Sequence, residues 1–405
     1  MKFLRTVSTR TLLAMIAGLA IVIGAGTAIA VAASSGGPVP RHEPLARAVR
    51  GVLRAPAVQG ISARISFTNH LIDASNIQGA TDPILQGATG RLWYSPATHQ
   101  LRIELQSDSG DGQVVVNNRS FWIYDPSSNT AYEGTLPASM TAAHRKAADK
   151  KRETIPSVSQ IQSDLNKLAH HLNVSGAIPG DIAGQPAYTV QVSPKHDGGL
   201  LGDAQLAWDA VRGVPLRFAI YARGDSSPVL ELKATDISFG SVPSSDFSSS
   251  PPSGAKVVRV SAPSSRAATT SKGVKHVHVS GAAAVARHLH FPLLAPHTLV
   301  GLPRRSVTLL DWAGSPAALV TYGQNLGGVA VIEQSASSGG KLNLGSSGGD
   351  HGSGLSLPTV SIDGVSGQEL DTALGTMVRF TRGSVTYTVV GSVPPAAAEA
   401  AARGL

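Results

Sequence analysis

The sequence predicts an α+β protein in which antiparallel strands dominate. Three observations carry this. Runs of period-two alternation outnumber helical runs, and the helical segments interrupt the strands instead of alternating with them. A Ser-, Pro- and Ala-rich stretch then divides a longer β-rich part from a shorter one.

The chain has 405 residues, room for about two or three domains, and its 42% hydrophobic content is enough for a sizeable core. It has no cysteine, which excludes disulfides, thiolate metal sites, Cys nucleophiles and a lipidated N-terminal Cys. Net charge is +8, of which Lys2, Arg5 and Arg10 supply three. The remaining +5 is too sparse for a nucleic-acid footprint and favours anionic lipid or wall polymer.

Those three basic residues precede 12–33, 22 residues without a charge, long enough to span a bilayer. Positive residues ahead of it place the N-terminus inside and the rest of the chain outside. Ala28-Ile29-Ala30 and Val31-Ala32-Ala33 also fit small-x-small cleavage sites. Residues 1–33 are thus expected to be a signal peptide or an N-terminal transmembrane anchor. Residues 34–405 are expected to be exported, held at the outer face of the cytoplasmic membrane or released.

A Gly/Pro spacer at 34–43 leads to Leu45, Val49, Val52 and Leu53, whose spacing predicts a short amphipathic helix over 44–54. Residues 61–71 alternate as a strand. A polar connection at 72–88 precedes a hairpin over 90–108, where Leu101, Ile103 and Leu105 alternate with Arg102, Glu104 and Gln106. Its first strand is unusual: Leu92 and Tyr94 take one face and Trp93 the other, so both faces need cover. Strands follow at 113–116, 120–124 and 131–135, with turns at Asn117-Asn118 and over 125–129. Residues 138–152 are Ala-rich and basic (Arg145, Lys146, Lys150, Lys151, Arg152) and read as a solvated helix face or, functionally, as a contact with an anionic membrane or partner. Val158, Ile161, Leu165, Leu168 and Leu172 predict a helix with Ser157 as N-cap. Strands return at 187–192, 203–209, 216–223 and 229–239.

Residues 248–281 read as a linker. The second unit, 282–393, has strands expected at 307–310, 317–322, 330–334, 359–362, 377–382 and 385–390, a Gly/Ser-rich insert at 335–356, and a closing Ala-rich helix at 394–405.

No constellation points to catalysis. His276 and His278 alternate, as do His288 and His290, but no carboxylate stands at ligand spacing, and exposed linker histidines explain them. His170 and His171 face apart on a helix. The stretch 345–349 matches G-x-S-x-G but lacks the flanking strand and helix of a nucleophile elbow. There is no P-loop, Rossmann fingerprint or H-E-x-x-H motif. No enzyme, metal or cofactor is expected.

Five segments carry a family likeness: "GRLWYSP", "LRIEL", "VVVNNRSFWIYDP", "AGQPAYTVQVSPK" and "FSSSPPSGAKV", in one order with sensible gaps. Together they resemble the LolA-like superfamily of lipoprotein carriers, which includes the RseB/MucB regulators, over roughly 45–260. "FPLLAPHTLVGLP", "ALVTYGQNLGGVAVIEQ" and "VRFTRGSVTYTVVG" resemble the smaller C-terminal domain of RseB-like proteins. Tyr94-Ser95-Pro96 has no basic residue ahead of its proline, so the likeness is to regulator-type relatives or a membrane-tethered lipid binder more than to a carrier with a LolA-style lid.

The resemblance implies an unclosed antiparallel β-barrel (a half-barrel) capped by helices over 44–247, plus a smaller mainly-β domain over 282–393. It implies an apolar cavity for a lipid or lipoprotein acyl chain. Residues expected to line it are Ile65, Phe67, Leu92, Tyr94, Leu101, Ile103, Leu105, Val114, Val116, Phe121, Ile123, Ile161, Leu165 and Leu168. The alternative it implies is a regulatory module in which the groove between the domains takes a membrane-bound anti-sigma partner.

Overall fold

A computed structural model describes residues 38–72, 87–107, 110–126, 128–135, 155–248, 250–260, 279–312, 315–339 and 357–405. The apolar stretch 12–33, the basic run 145–152, His276, His278 and the 345–349 motif lie outside the described residues. Among the described residues, no helix is long and apolar enough to cross a membrane.

Helix α1 (Leu45–Arg54) leads into β1 (Ile61–Asn69). A meander follows: β2 (Ala88–Ser95), β3 (Gln100–Ser107), β4 (Gly110–Asn117), β5 (Ser120–Asp125) and β6 (Thr130–Thr135). Then come α2 (Val158–Leu168), β7 (Leu172–Val174), β8 (Ile178–Ile182), β9 (Gln185–Pro194), β10 (Leu201–Asp209), β11 (Pro215–Ala222), β12 (Pro228–Phe239) and β13 (Lys256–Val260). The described strands join into a 13-stranded sheet ordered β13-β6-β5-β4-β3-β2-β1-β12-β11-β10-β9-β7, with β8 on β9. The path ends at β13 and β7, which do not pair, so this is an unclosed half-barrel. Every pairing is antiparallel except β13 with β6.

The second sheet is built from β14 (Thr298–Leu299), β15 (Leu302–Trp312), β16 (Ser315–Tyr322), β17 (Val329–Ser335), β18 (Thr359–Ile362), β19 (Val365–Thr372), β20 (Gly375–Arg382) and β21 (Val385–Gly391). Its order is β14-β15-β16-β17-β21-β20-β19-β18. Helices α3 (Ala282–Ala286) and α4 (Pro395–Arg403) supply Val285, Ala398, Ala401 and Ala402 to its core, all fully buried. The small alanines let α4 sit close to the strands.

The structure departs from the sequence reading in several places, among them β14, β19 and α3, none of which was expected. Helix α2 has the expected capping box, Ser157 with Gln160, but it stops at Leu168. Leu172 instead starts β7 and pairs with Pro194 of β9, where a strand edge was available to satisfy its backbone. The β8–β9 hairpin was not foreseen. Its two-residue turn uses positive φ at Ala183 and Gly184, the type I′ geometry that matches strand twist, but the sequence carries Ala where Asn or Asp would announce it. Finally, β13 forms inside the stretch read as linker and caps the free edge of β6.

Candidate functional site: the concave face of the first sheet

Strand register places Ile65, Leu92, Tyr94, Leu101, Ile103, Val114, Val116, Phe121 and Ile123 in one buried cluster on one face of the half-barrel. Leu105 packs against it, and so do Ile182 and Ala183 from the β8–β9 turn. Burial pushes the Tyr94 hydroxyl above its ordinary pKa. Thus ten of the expected lining residues meet. The helical three do not join them. Ile161 is buried, Leu165 is half-buried and Leu168 is 50% exposed, because α2 packs on α1 and β7 and not into the strand cluster.

Phe67 lies one step further along the same face, and it leads to residues the sequence reading missed. Phe67 pairs with Leu232, Leu232 with Phe218, Phe218 with Leu206, and Leu206 with Val190. Directly opposed residues share a face, and Leu232 touches the buried cluster, so the row is concave-side. It crosses five strands, about 19 Å at ~4.8 Å per strand. A parallel row follows: Leu230, Ile220, Ala204 and Val192. Phe218 is 46% exposed and Leu206 38%. The alternation Leu216, Phe218, Ile220 was visible in the sequence, but the direction it faces was not.

The opposite face of these strands is inverted in character. Arg217 donates to Glu231 (2.6 Å), Gln205 (2.6 Å) and the Tyr221 hydroxyl (2.6 Å), and its side chain is only 18% exposed. In a one-sided sheet the polar face normally meets water and the apolar face is covered. Here the polar face closes on itself while the apolar row stays partly open. That arrangement can hold an elongated apolar molecule. It offers no acid–base pair.

The second face of the Trp93 strand is also accounted for. Trp93, Arg102, Val115 and Trp122 oppose one another across β2 to β5. The Arg102 guanidinium lies 5.4 Å from the Trp93 ring centre, pairs with Glu104, and donates to the Asp246 carbonyl at 2.9 Å. Asp246 belongs to a 3₁₀ turn, Ser244–Phe247, that packs on β3 and buries Phe247 to 3% exposure. The Phe of the "FSSSPPSG" segment is therefore an anchor in the cover of that face.

The two sheets touch at named points. Leu200 N–H donates to the Ser392 carbonyl at 3.0 Å, and Ala373 N–H to the Leu71 carbonyl at 2.9 Å. Beside the second contact lies a shallow cleft of about 230 Å³ lined by His70, 225–229 and Ala373. In the core of the second sheet, Glu333 is fully buried. One carboxylate oxygen accepts from Leu294 N–H (2.8 Å), and the other has no partner among the described residues. Desolvation raises its pKa to about 7. Neighbouring Tyr322 is pushed up to about 12 by burial and by Glu333. Among the described residues, no three His, Asp or Glu side chains converge as a metal site.

No protein-family model and no curated protein matches the chain. Solved structures do. The chain is similar to MucB. Pseudomonas aeruginosa MucB, seen in its complex with MucA, is 18% identical over 88% of this chain and 94% of its own, with a TM-score of 0.37. An uncharacterized conserved protein from Thermus thermophilus is 13% identical over 53% of this chain and 97% of its own (TM-score 0.31). A putative outer membrane lipoprotein-sorting protein domain from Vibrio parahaemolyticus is 10% identical over 47% and 89% (TM-score 0.15).

Proposed function

We propose that this is an exported, non-enzymatic binding protein whose half-barrel domain, 44–247, holds the acyl chain of a lipid or lipoprotein along its concave face, with 282–393 as an appended domain. The observation that supports it is the row from Phe67 to Val190, with Phe218 and Leu206 open to solvent on a concave apolar surface. Full burial of such a side chain is worth about 1.5–3 kcal/mol, and a chain laid across the row collects what the fold leaves unspent. The direct test is purification without detergent, extraction with organic solvent and mass spectrometry. Stoichiometric lipid is expected; a folded protein that yields none overturns the reading.

The cleft between the sheets favours a second reading, a regulatory module that seats a membrane-bound anti-sigma partner there. Substitutions at Ala373 and Ser227 would then abolish partner capture and leave any bound lipid untouched.

A further inference from the structure

Helix α1 packs on the sheet along one side and on α2 along another, and what it leaves outward is a basic strip. At 100° per residue, Arg47, Arg50 and Arg54 fall within about 60° of one another. Leu45, Ala48 and Val52 take the other side and meet Tyr188 and Trp208 of β9 and β10, while buried Ala46 lies on the flank beside Arg50. The helix contains no acidic residue. Arg41, Arg47 and Arg54 are exposed and make no ion pair among the described residues. Arg50 uses Nε on the Pro156 carbonyl at 3.3 Å.

The helix is also held in place. The Tyr188 hydroxyl donates to the Arg41 carbonyl at 2.5 Å. Gly213, at φ +67°, lies so close to Val52 that a Cβ there would stand 2.8 Å from it. The basic face therefore has a fixed direction relative to the sheet.

We propose that α1, with Arg41, Arg47, Arg50 and Arg54, lies flat on an anionic phospholipid surface and orients the half-barrel against the membrane. Two features single out this partner. Guanidinium groups match phosphate headgroups in charge and in bidentate geometry. And only seven residues, 34–40, separate Arg41 from the uncharged stretch 12–33, a reach of roughly 28 Å at most. The docking has a consequence for the concave face. Val190, the last residue of the row, packs against the same cluster as α1, so a docked helix holds that end of the row beside the membrane. The docking itself does not depend on acyl binding.

The chain has no cysteine, so Gly51→Cys gives a unique label on α1, at an exposed position with open space around it. The labelled full chain is placed in vesicles of phosphatidylcholine alone, or with phosphatidylglycerol, carrying an energy acceptor on the headgroups. Transfer is expected to be stronger with phosphatidylglycerol and to fall in high salt. Arg47→Gln/Arg54→Gln should weaken docking more than tenfold, at about fivefold per arginine, with unchanged melting. Equal transfer in both vesicle types, or transfer indifferent to the double substitution, overturns the proposal. Lipid extracted from the same preparations reports on the concave face separately.

Discussion

Glu333 is the side chain whose chemistry departs furthest from its ordinary behaviour. Its carboxyl is buried, held by the Leu294 backbone N–H, and faced by Tyr322 and Tyr387, which Arg304 and Arg382 respectively influence in turn. The raised pKa means the folded state keeps a proton that the unfolded chain releases near 4.5. The contribution of Glu333 to stability is therefore fully present below pH 4.5, falls as pH rises from 4.5 to about 7, and levels above that. The loss is roughly 3 kcal/mol. Urea titrations across this window should show the fall, and Glu333→Gln should flatten it; an unchanged slope in the variant would assign the effect elsewhere. Phe218 is the opposite kind of residue, apolar yet 46% exposed. Phe218→Thr/Leu206→Thr keeps strand propensity while stripping the apolar row. Melting should shift by only about 1 kcal/mol equivalent, while lipid recovered on extraction drops severalfold.

At the scale of elements, the half-barrel depends on how sharply β2 can coil. Gly90 faces Ile65 and Leu105 on the concave side, and a Cβ there would collide with the Glu104 carbonyl oxygen. Its lack of a side chain lets β2 and β3 approach where the sheet bends. Gly90→Ala should cost about 1–3 kcal/mol, read as a lower denaturation midpoint with an unchanged slope. The turn that covers the convex side is tested by Phe247→Ala, expected to cost about 3–5 kcal/mol. Trp93 and Trp122 sit in that covered row, so their fluorescence should redden as the turn lifts; unshifted emission would mean another element covers them.

At the scale of the molecule, two sheets with separate cores meet, among the described residues, through polar contacts of Leu71 with Ala373, Leu200 with Ser392 and Asp197 with Gly327. Gly199 sits at φ +61°, with Ser392 so close that a Cβ would collide with its carbonyl oxygen. Gly327 is pressed in the same way by the Asp197 carboxylate. Gly199→Ala should therefore loosen the sheets from each other and leave each intact. Small-angle scattering should give a larger radius of gyration, and the melt should split into two transitions. A single transition at the original size would mean that the backbone contacts are not what joins them.

Much of this was legible from residues alone. Alternation at 61–71, 90–108 and 216–239 determined strands, Ser157 and Gln160 determined a helix start, and the Gly, Ser and Pro runs marked the breaks. These are local properties, set by the period of the backbone and by capping chemistry. Period two showed which side chains share a face, and the family resemblance pointed to a lining of which ten residues gather in one cluster. The sequence could not say which face is concave, since that depends on pairing between strands distant in the chain. So Leu206, Phe218 and Leu232 passed unremarked, and Ile161, Leu165 and Leu168 were assigned to a cavity from which α2 is turned away. The cover over Trp93, the edge taken by β13 and the fixed direction of α1 were likewise decided by tertiary contacts, which no local pattern encodes.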